Sequence, residues 1–244
     1  MDVKTAARVI DVVEAFAALR RPLTLSDLAK ELTIPVSSCL GLVRTLANRG
    51  YLYEVHRRGG FYPTGRLFAQ AKIIAAHDPI LDRVQPFLLS LRDQTDETIV
   101  LGKLKDREVV YLDVLESERS VRYTAQIGVF RPVFANSIGK ALLGVMDVET
   151  RKDFIASLDL HKLTEHTLGN PRALQADLDK SQKRGWYSNL GESASDLGAI
   201  ARPIRLANDW YGISVAGPLY RIKEEIDAHA RALADICATI EQTS

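Results

Sequence analysis

Five residues, Ser37, Ser38, Arg44, Arg57 and Arg58, fall on one short stretch and have the chemistry to hold phosphates and base edges. Arginine presents a planar fork of donors that matches a phosphate or the O6/N7 edge of guanine, and a serine hydroxyl adds a contact to either. A second candidate is Asn136-Ser137-Ile138-Gly139-Lys140. If these residues open a helix with Ser137 as its cap, the first backbone N–H groups have no intrahelical partner. The helix dipole adds positive potential there, so a small carboxylate is served without an arginine. The plainer alternative is an ordinary helix cap.

Other constellations lead nowhere. Gly191-Glu192-Ser193-Ala194-Ser195 lacks the Gly-x-Ser-x-Gly pattern of a nucleophile elbow. Gly139-Lys140 lacks the earlier glycine and the following Ser or Thr of a phosphate loop. His161 and His166 read as exposed loop residues, and two lone cysteines, Cys39 and Cys237, make neither a disulfide framework nor a zinc site. The expectation is no metal, no cofactor and no catalysis. No apolar run approaches the roughly 20 residues of a membrane helix. The chain opens Met-Asp-Val-Lys without an apolar signal region. A soluble, cytoplasmic protein with no membrane partner is expected.

The first cluster is positioned by residues 23–62. Leu25, Leu28, Ala29 and Leu32 fall at i, i+3, i+4 and i+7, one apolar helix face. Thr24 and Asp27 approximate a capping box. Pro35 suits the start of a second helix, whose stripe is Cys39, Leu42, Val43 and Leu46 and whose end is Gly50. Ser37, Ser38 and Arg44 then face outward. Tyr51-Leu52-Tyr53 and Phe61-Tyr62 are strand-forming, and Gly59-Gly60 permits the reversal that puts Arg57 and Arg58 at a hairpin tip. Helix, turn, helix and basic hairpin make a winged helix-turn-helix, whose natural partner is double-stranded DNA.

Charge placement agrees. The net charge is +1, yet residues 1–66 hold ten Lys or Arg against six Asp or Glu, and the rest hold 22 against 25. Phosphate neutralisation supplies most non-specific DNA affinity, so where the excess sits matters more than the total. Ahead of this unit, Ala6, Val9, Ile10, Val13, Phe16 and Ala17 share a face of a helix over residues 3–19. Behind it, residues 67–77 read as a linker helix whose apolar side chains could pair with a second subunit.

From Pro79 onward the pattern changes. Helices are expected over residues 80–95, 137–146, 148–158, 171–184 and 219–241. Strands are expected over residues 98–104, 108–114, 121–127, 186–190, 197–204 and 210–216. Short turns at Lys105-Asp106-Arg107 and Ala207-Asn208-Asp209 join them in pairs. Without regular strand-helix alternation, this is an antiparallel sheet flanked by helices, and the fold class is α+β. The expected domains are 1–66, a winged helix-turn-helix DNA-binding domain, 67–78, a linker helix, and 79–244, a small-molecule effector-binding and oligomerisation domain.

The chain resembles the IclR family of bacterial transcription regulators over nearly its whole length. The likeness is carried by Pro22-Leu23-Thr24-Leu25-Ser26, Pro35-Val36-Ser37-Ser38, Thr45-Leu46 and Gly50-Tyr51. It continues through Glu97-Thr98, Val110-Tyr111-Leu112, Gly128, Pro132 and Ser137-Ile138-Gly139-Lys140-Ala141-Leu142-Leu143. It ends with Gly185-Trp186-Tyr187, Gly191-Glu192, Ala199-Ile200-Ala201-Arg202-Pro203-Ile204 and Ile213-Ser214-Val215-Ala216-Gly217-Pro218. The resemblance implies a homodimeric or homotetrameric repressor or activator that binds an operator and answers to a small organic acid, as in control of a catabolic operon. It adds Ser26 to the DNA-contacting set. It places an effector pocket at Tyr123, Asn136, Ser137, Ile138, Gly139, Asn189, Leu197, Ala199, Ser214 and Ala216. Val36, Leu40 and Gly41 depart from the family pattern of the second helix, so base readout leans on Ser37, Ser38, Arg44 and the hairpin arginines. Ala199 and Ala216 put methyl groups where polar atoms are common, which suits a carboxylic acid with an apolar, even aromatic, body. The alternative from another class is an enzyme, such as a hydrolase, with an appended DNA-binding domain. It needs a nucleophile hydrogen-bonded to a base.

Overall fold

A computed structural model of the chain describes residues 3–56, 59–75 and 77–243. The chain divides into two compact units, residues 1–78 and 79–244.

The first unit runs α1 (Lys4–Leu19), α2 (Leu25–Glu31), α3 (Val36–Asn48), the hairpin β1 (Leu52–Glu54) and β2 (Phe61–Pro63), and α4 (Arg66–Ala75). The capping box forms with both arms. Thr24 N donates to Asp27 Oδ2 at 2.9 Å, and Asp27 N donates to Thr24 Oγ1 at 3.1 Å. The donated backbone bond from Thr24, then its hydroxyl and Arg21, hold the Asp27 carboxyl down at about 2. Cys39, Leu42, Val43 and Leu46 of α3 share one core with Leu28 and Ala29 of α2 and with Val12, Ala15 and Phe16 of α1. The expected face of α1 is partly corrected. Phe16 is buried, but Ala6, Ile10 and Ala17 are exposed, and Val12 and Ala15 take the core positions. The helix is apolar on more than one side, so spacing admits two overlapping stripes, and packing against α2 and β2 selects one. In the hairpin, Leu52 pairs with Pro63 and Glu54 with Phe61. Gly60 has φ +90°, and a Cβ there would sit 2.8 Å from the Leu23 carbonyl carbon, so glycine is required where Leu23 bridges to Phe61. Arg57 and Arg58 lie outside the described residues. No residue of α4 is buried, and Phe68 and Ile74 are 75% and 72% exposed.

The second unit begins with α5 (Pro79–Thr95). Its six strands are β3 (Thr98–Lys105), β4 (Glu108–Leu115), β5 (Phe130–Pro132), β6 (Tyr187–Leu190), β7 (Leu197–Leu206) and β8 (Asp209–Pro218). They pair antiparallel throughout, in the order β5-β4-β3-β8-β7-β6. The helices are α6 (Ser137–Gly144), α7 (Val148–Ala156), α8 (Pro171–Arg184), α9 (Leu219–Glu224) and α10 (Ile226–Gln242). One sheet face buries Ile99, Leu101, Ile213 and Val215 against Leu88 and Leu91 of α5 and Leu233 and Ile236 of α10. The other buries Val100, Val109, Tyr111 and Ala201 against Ile138 and Leu142 of α6 and Leu174 and Leu178 of α8.

Ala199 lies opposite Ala216, Ala201 opposite Ser214, and Ser214 opposite Val100. Strand period two therefore gathers small side chains on the face that α6 covers. Gly212 lets the helix come close, since a Cβ there would meet Ile138 Cγ2 at 2.6 Å.

Two expected elements are corrected. Residues 121–127 are not a strand; the third strand is β5, which pairs Phe130 with Val110 of β4. The apolar alternation is present, but Val121 and Ile127 are both 62% exposed, and the carbonyls of Val121 and Tyr123 accept from the Arg221 guanidinium at 3.0 Å and Thr98 Oγ1 at 2.6 Å instead of from a neighbouring strand. The expected helix over residues 219–241 breaks at Glu225, whose φ −105° and ψ 16° separate α9 from α10. Arg221 of α9 is held by Glu97 and by the Val121 carbonyl, while α10 runs along β7 and α5.

Candidate functional site

The helix-turn-helix presents its polar residues as the spacing requires. Ser26, Ser37, Ser38 and Arg44 are exposed, while the apolar stripe of α3 is buried. No side chain caps α3, and Cys39 N is the first to bond back, to Pro35 O at 3.1 Å. The N–H groups of Val36, Ser37 and Ser38 therefore face solvent at the positive end of the helix dipole, where a phosphate oxygen is well received. Arg44 has no ion-pair partner among the described residues. A guanidinium two turns beyond two serines on the exposed face of a second helix can span a phosphate and a base edge.

The second site is a small enclosed cavity of about 50 Å³ under α6. Tyr123, Asn136, Ser137, Asn189, Leu197, Ala199, Ser214 and Ala216 all line it, although they come from five separate stretches of chain. Ile138 and Gly139 do not line it, and the donors expected of them are already used. Asn136, not Ser137, caps α6, and its Oδ1 accepts from Ile138 N at 2.9 Å and from Gly139 N at 3.2 Å. The free-amide account of carboxylate binding is thereby corrected. The Asn136 side-chain oxygen occupies the place a ligand oxygen would take, because asparagine reaches the second and third amides with little strain.

What remains in the cavity is a set of side-chain groups. Ser137 Oγ lies 3.0 Å from Ser214 Oγ, Asn136 Nδ2 donates to Tyr111 Oη at 2.8 Å, and Asn189 Nδ2 donates to Ser193 Oγ at 2.7 Å. Burial pushes the Tyr111 pKa up, so its phenol stays neutral. Arg131 also lines the cavity and, among the described residues, has no ion-pair partner. Sequence reasoning missed Tyr111, Arg131 and Ser193. Tyr111 shares a face of β4 with Val109, a signal that period two could have given. A lone arginine beside Pro132 carries no such signal.

The cavity is held by a buried ionic cluster. Lys140, one turn beyond Asn136 on α6, is 0% exposed. Its Nζ lies 2.6 Å from Glu192 Oε1, 3.0 Å from Asp177 Oδ2 and 3.0 Å from the Ser188 carbonyl. Burial raises the Glu192 pKa, and the Lys140 charge pulls against it. Glu192 N donates to Asn189 Oδ1 at 2.9 Å, and Thr167 Oγ1 donates to the Glu192 carbonyl at 2.7 Å. The base of residues 190–196 is thus tied to α6 and to the loop before α8.

No catalytic set is assembled from the described residues. Ser137 and Ser214 partner one another, and no histidine bonds to them or to Ser193. His161 packs edge-on to Phe134 with centroids 5.5 Å apart, and no group of His, Cys, Asp or Glu among the described residues could hold a metal ion. Cys39 and Cys237 are buried, and desolvation pushes the Cys237 thiol up to about 12. Among the described residues, no helix is long and apolar enough to cross a membrane.

Residues 5–56 match the IclR helix-turn-helix domain, and residues 73–242 match the family described as bacterial transcriptional regulator IclR C-terminal. The chain is 29% identical over 230 residues to the HTH-type transcriptional regulator BhcR of Paracoccus denitrificans, covering 93% of this chain and 81% of that one. The Thermotoga maritima IclR structure superposes with a TM-score of 0.78 at 22% identity, over 98% of each chain. An IclR homolog from Microbacterium hydrocarbonoxydans, crystallised with 4-hydroxybenzoate, superposes with a TM-score of 0.79 at 24% identity, over 97% of each chain. At these identities the two structural likenesses speak for the fold.

Proposed function

Because the chain belongs to the IclR family of bacterial transcriptional regulators, we propose that it is a cytoplasmic, operator-binding regulator whose second unit senses a small carboxylic acid with an apolar, aromatic-compatible body. In this reading residues 1–66 bind DNA, residues 67–78 link, and residues 79–244 sense and oligomerise. Ser26, Ser37, Ser38, Arg44, Arg57 and Arg58 serve DNA. The observation that carries the sensor reading is the composition of the cavity. Arg131 and the hydroxyls of Ser137, Ser193 and Ser214 offer charge and donors for a carboxylate, while Val100, Leu197, Ala199 and Ala216 offer apolar walls for its body. The ligand crystallised with one structural relative, 4-hydroxybenzoate, is an acid of this kind.

The cavity holds about 50 Å³, whereas a benzene-sized guest occupies an engineered cavity of about 150 Å³. An aromatic acid therefore enters only if the wall opens. A ligand that binds the opened state better shifts the population toward it. The exposed apolar side chains of α4 supply a surface through which a homodimer or homotetramer couples that shift to the spacing of two winged helices on the operator. The test is a panel of carboxylates, 4-hydroxybenzoate included, screened for thermal stabilisation of the full chain and for a change in its affinity for upstream DNA. An acid that raises the melting temperature and alters DNA affinity is expected. A panel with no stabilising acid removes the sensor reading and leaves the DNA-binding one standing.

A further inference from the structure

The small cavity has a neighbour. An open groove of about 640 Å³ lies against it, and Tyr123 and Leu197 line both. The groove is mostly apolar, with Val121, Pro218, Leu219 and Tyr220 along it. Val121 is 62% and Tyr220 64% exposed, so large apolar side chains line the groove beside the enclosed chamber. Its volume falls within the roughly 300–1,000 Å³ of ligand sites, while the inner chamber is far below it.

The partition between the two spaces is built on fixed parts. Below the partition, Gly191 and Glu192 are fixed by Thr164, Thr167, Asn189 and Lys140. Ala194, Ser195 and Asp196 are exposed, and their backbone is tied at two points, Leu197 N donating to the Ala194 carbonyl at 3.1 Å and Leu219 N to the Asp196 carbonyl at 2.7 Å. On the far side, Arg221 pins the Val121 carbonyl at 3.0 Å and is itself paired with Glu97, which fixes the groove floor.

We infer that the groove is the outer compartment of the effector site, and that the effector is an elongated amphipathic monocarboxylic acid. This rests on the sensor reading above. Its carboxylate enters the inner chamber beside Arg131, Ser137 and Ser214. The first carbons of its body pass between Tyr123 and Leu197. The remainder lies in the groove against Val121, Leu219 and Tyr220. At about 50 Å³ the closed chamber takes little more than a carboxylate, and the groove gives a longer body room without the wider opening that an aromatic ring needs. The inner chamber has a guanidinium with no ion-pair partner among the described residues. The groove is lined mainly by apolar side chains, and of its charged residues Arg122 is paired with Glu116, while Asp196 and Lys223 are of opposite sign.

The test is calorimetric titration of the full chain with straight-chain carboxylates from propanoate to octanoate. Once the chain passes the partition, affinity is expected to rise about fourfold per methylene, the factor that corresponds to roughly 0.8 kcal/mol per buried CH₂. Tyr220→Ala and Val121→Glu alter exposed side chains and should fold normally. Each is expected to weaken octanoate about tenfold and to leave propanoate within about twofold. Ser214→Ala is expected to weaken all members alike. Affinity that is flat beyond butanoate, or octanoate binding that both groove variants leave intact, overturns the inference. If propanoate binding still depends on Ser214 in that case, the sensor reading stands without the groove. If no straight-chain carboxylate binds but 4-hydroxybenzoate does, the groove falls and the sensor reading stands; if neither binds, both fall together.

Discussion

Replacing Ala199 by Leu tests the inner chamber directly. Ala199 is buried on β7 opposite Ala216, with its methyl group on the cavity wall. Leucine adds three carbons to a space of about 50 Å³, less than two waters at their roughly 30 Å³ share of the liquid. The added carbons fill the cavity and press on its walls. Overpacking of this kind costs about 1–3 kcal/mol. At roughly 2–4 °C per kcal/mol for a domain of this size, the melting temperature falls by about 2–12 °C. The informative quantity is the response to ligand. A stabilising acid at one hundred times its dissociation constant contributes about 2.7 kcal/mol to the wild type. In the Leu variant that increment is expected to vanish, because the carboxylate has no space to enter. Scanning calorimetry with and without the acid reads both effects, and fluorescence anisotropy on operator DNA checks that the first unit still binds. A Leu variant with the full increment places the ligand elsewhere and refutes the cavity argument.

Arg44→Ala should cost about 1–3 kcal/mol of operator affinity and relax specificity at one position if the guanidinium reads a guanine; an equal loss on random DNA makes it a phosphate contact. The double variant Arg57→Ala, Arg58→Ala should flatten the salt dependence of binding by about two phosphate equivalents, and an unchanged slope removes the hairpin from the interface. Lys140→Met leaves Glu192 and Asp177 facing each other without a cation, so urea unfolding should show a loss of about 3–5 kcal/mol; a loss below about 1 kcal/mol would mean the cluster is not anchoring the loop. His229 is 2% exposed, and burial lowers its pKa from the ordinary 6.5. The unfolded chain then takes up the proton first, so its stability contribution is complete above that value and declines as pH falls through it toward the folded value. Urea midpoints at pH 7.5 and 5.5 should differ more in the wild type than in His229→Leu, and equal differences would show that the imidazole is not the titrating group.

Much of this protein is written in short-range pattern. The faces of α2 and α3 follow from Leu25, Leu28, Ala29, Cys39, Leu42, Val43 and Leu46 at helical spacing, and the Thr24–Asp27 box spans only three residues. The β7–β8 turn is equally local, with Ala207 and Asn208 at φ 48° and 66° between the paired Leu206 and Asp209. Resemblance gave the cavity positions that spacing could not, and eight of those ten line one space.

Other features were decided by distance in the chain. Which stripe of α1 is buried depends on what packs against it. Whether residues 121–127 pair depends on distant side chains, since Arg221 and Thr98 take the Val121 and Tyr123 carbonyls. The cap of α6 is Asn136 because Tyr111, 25 residues away, holds its amide in place and leaves Oδ1 to the helix. Lys140 meets Glu192 across 52 residues and Asp177 across 37. Nothing local to a lysine on an apolar helix announces that it will be fully buried. Periodicity reports which side of an element is apolar, because that depends on neighbours within a turn or two. Which charges and donors meet across the sheet is set by the packing of whole elements, where burial requires each polar group to find a partner.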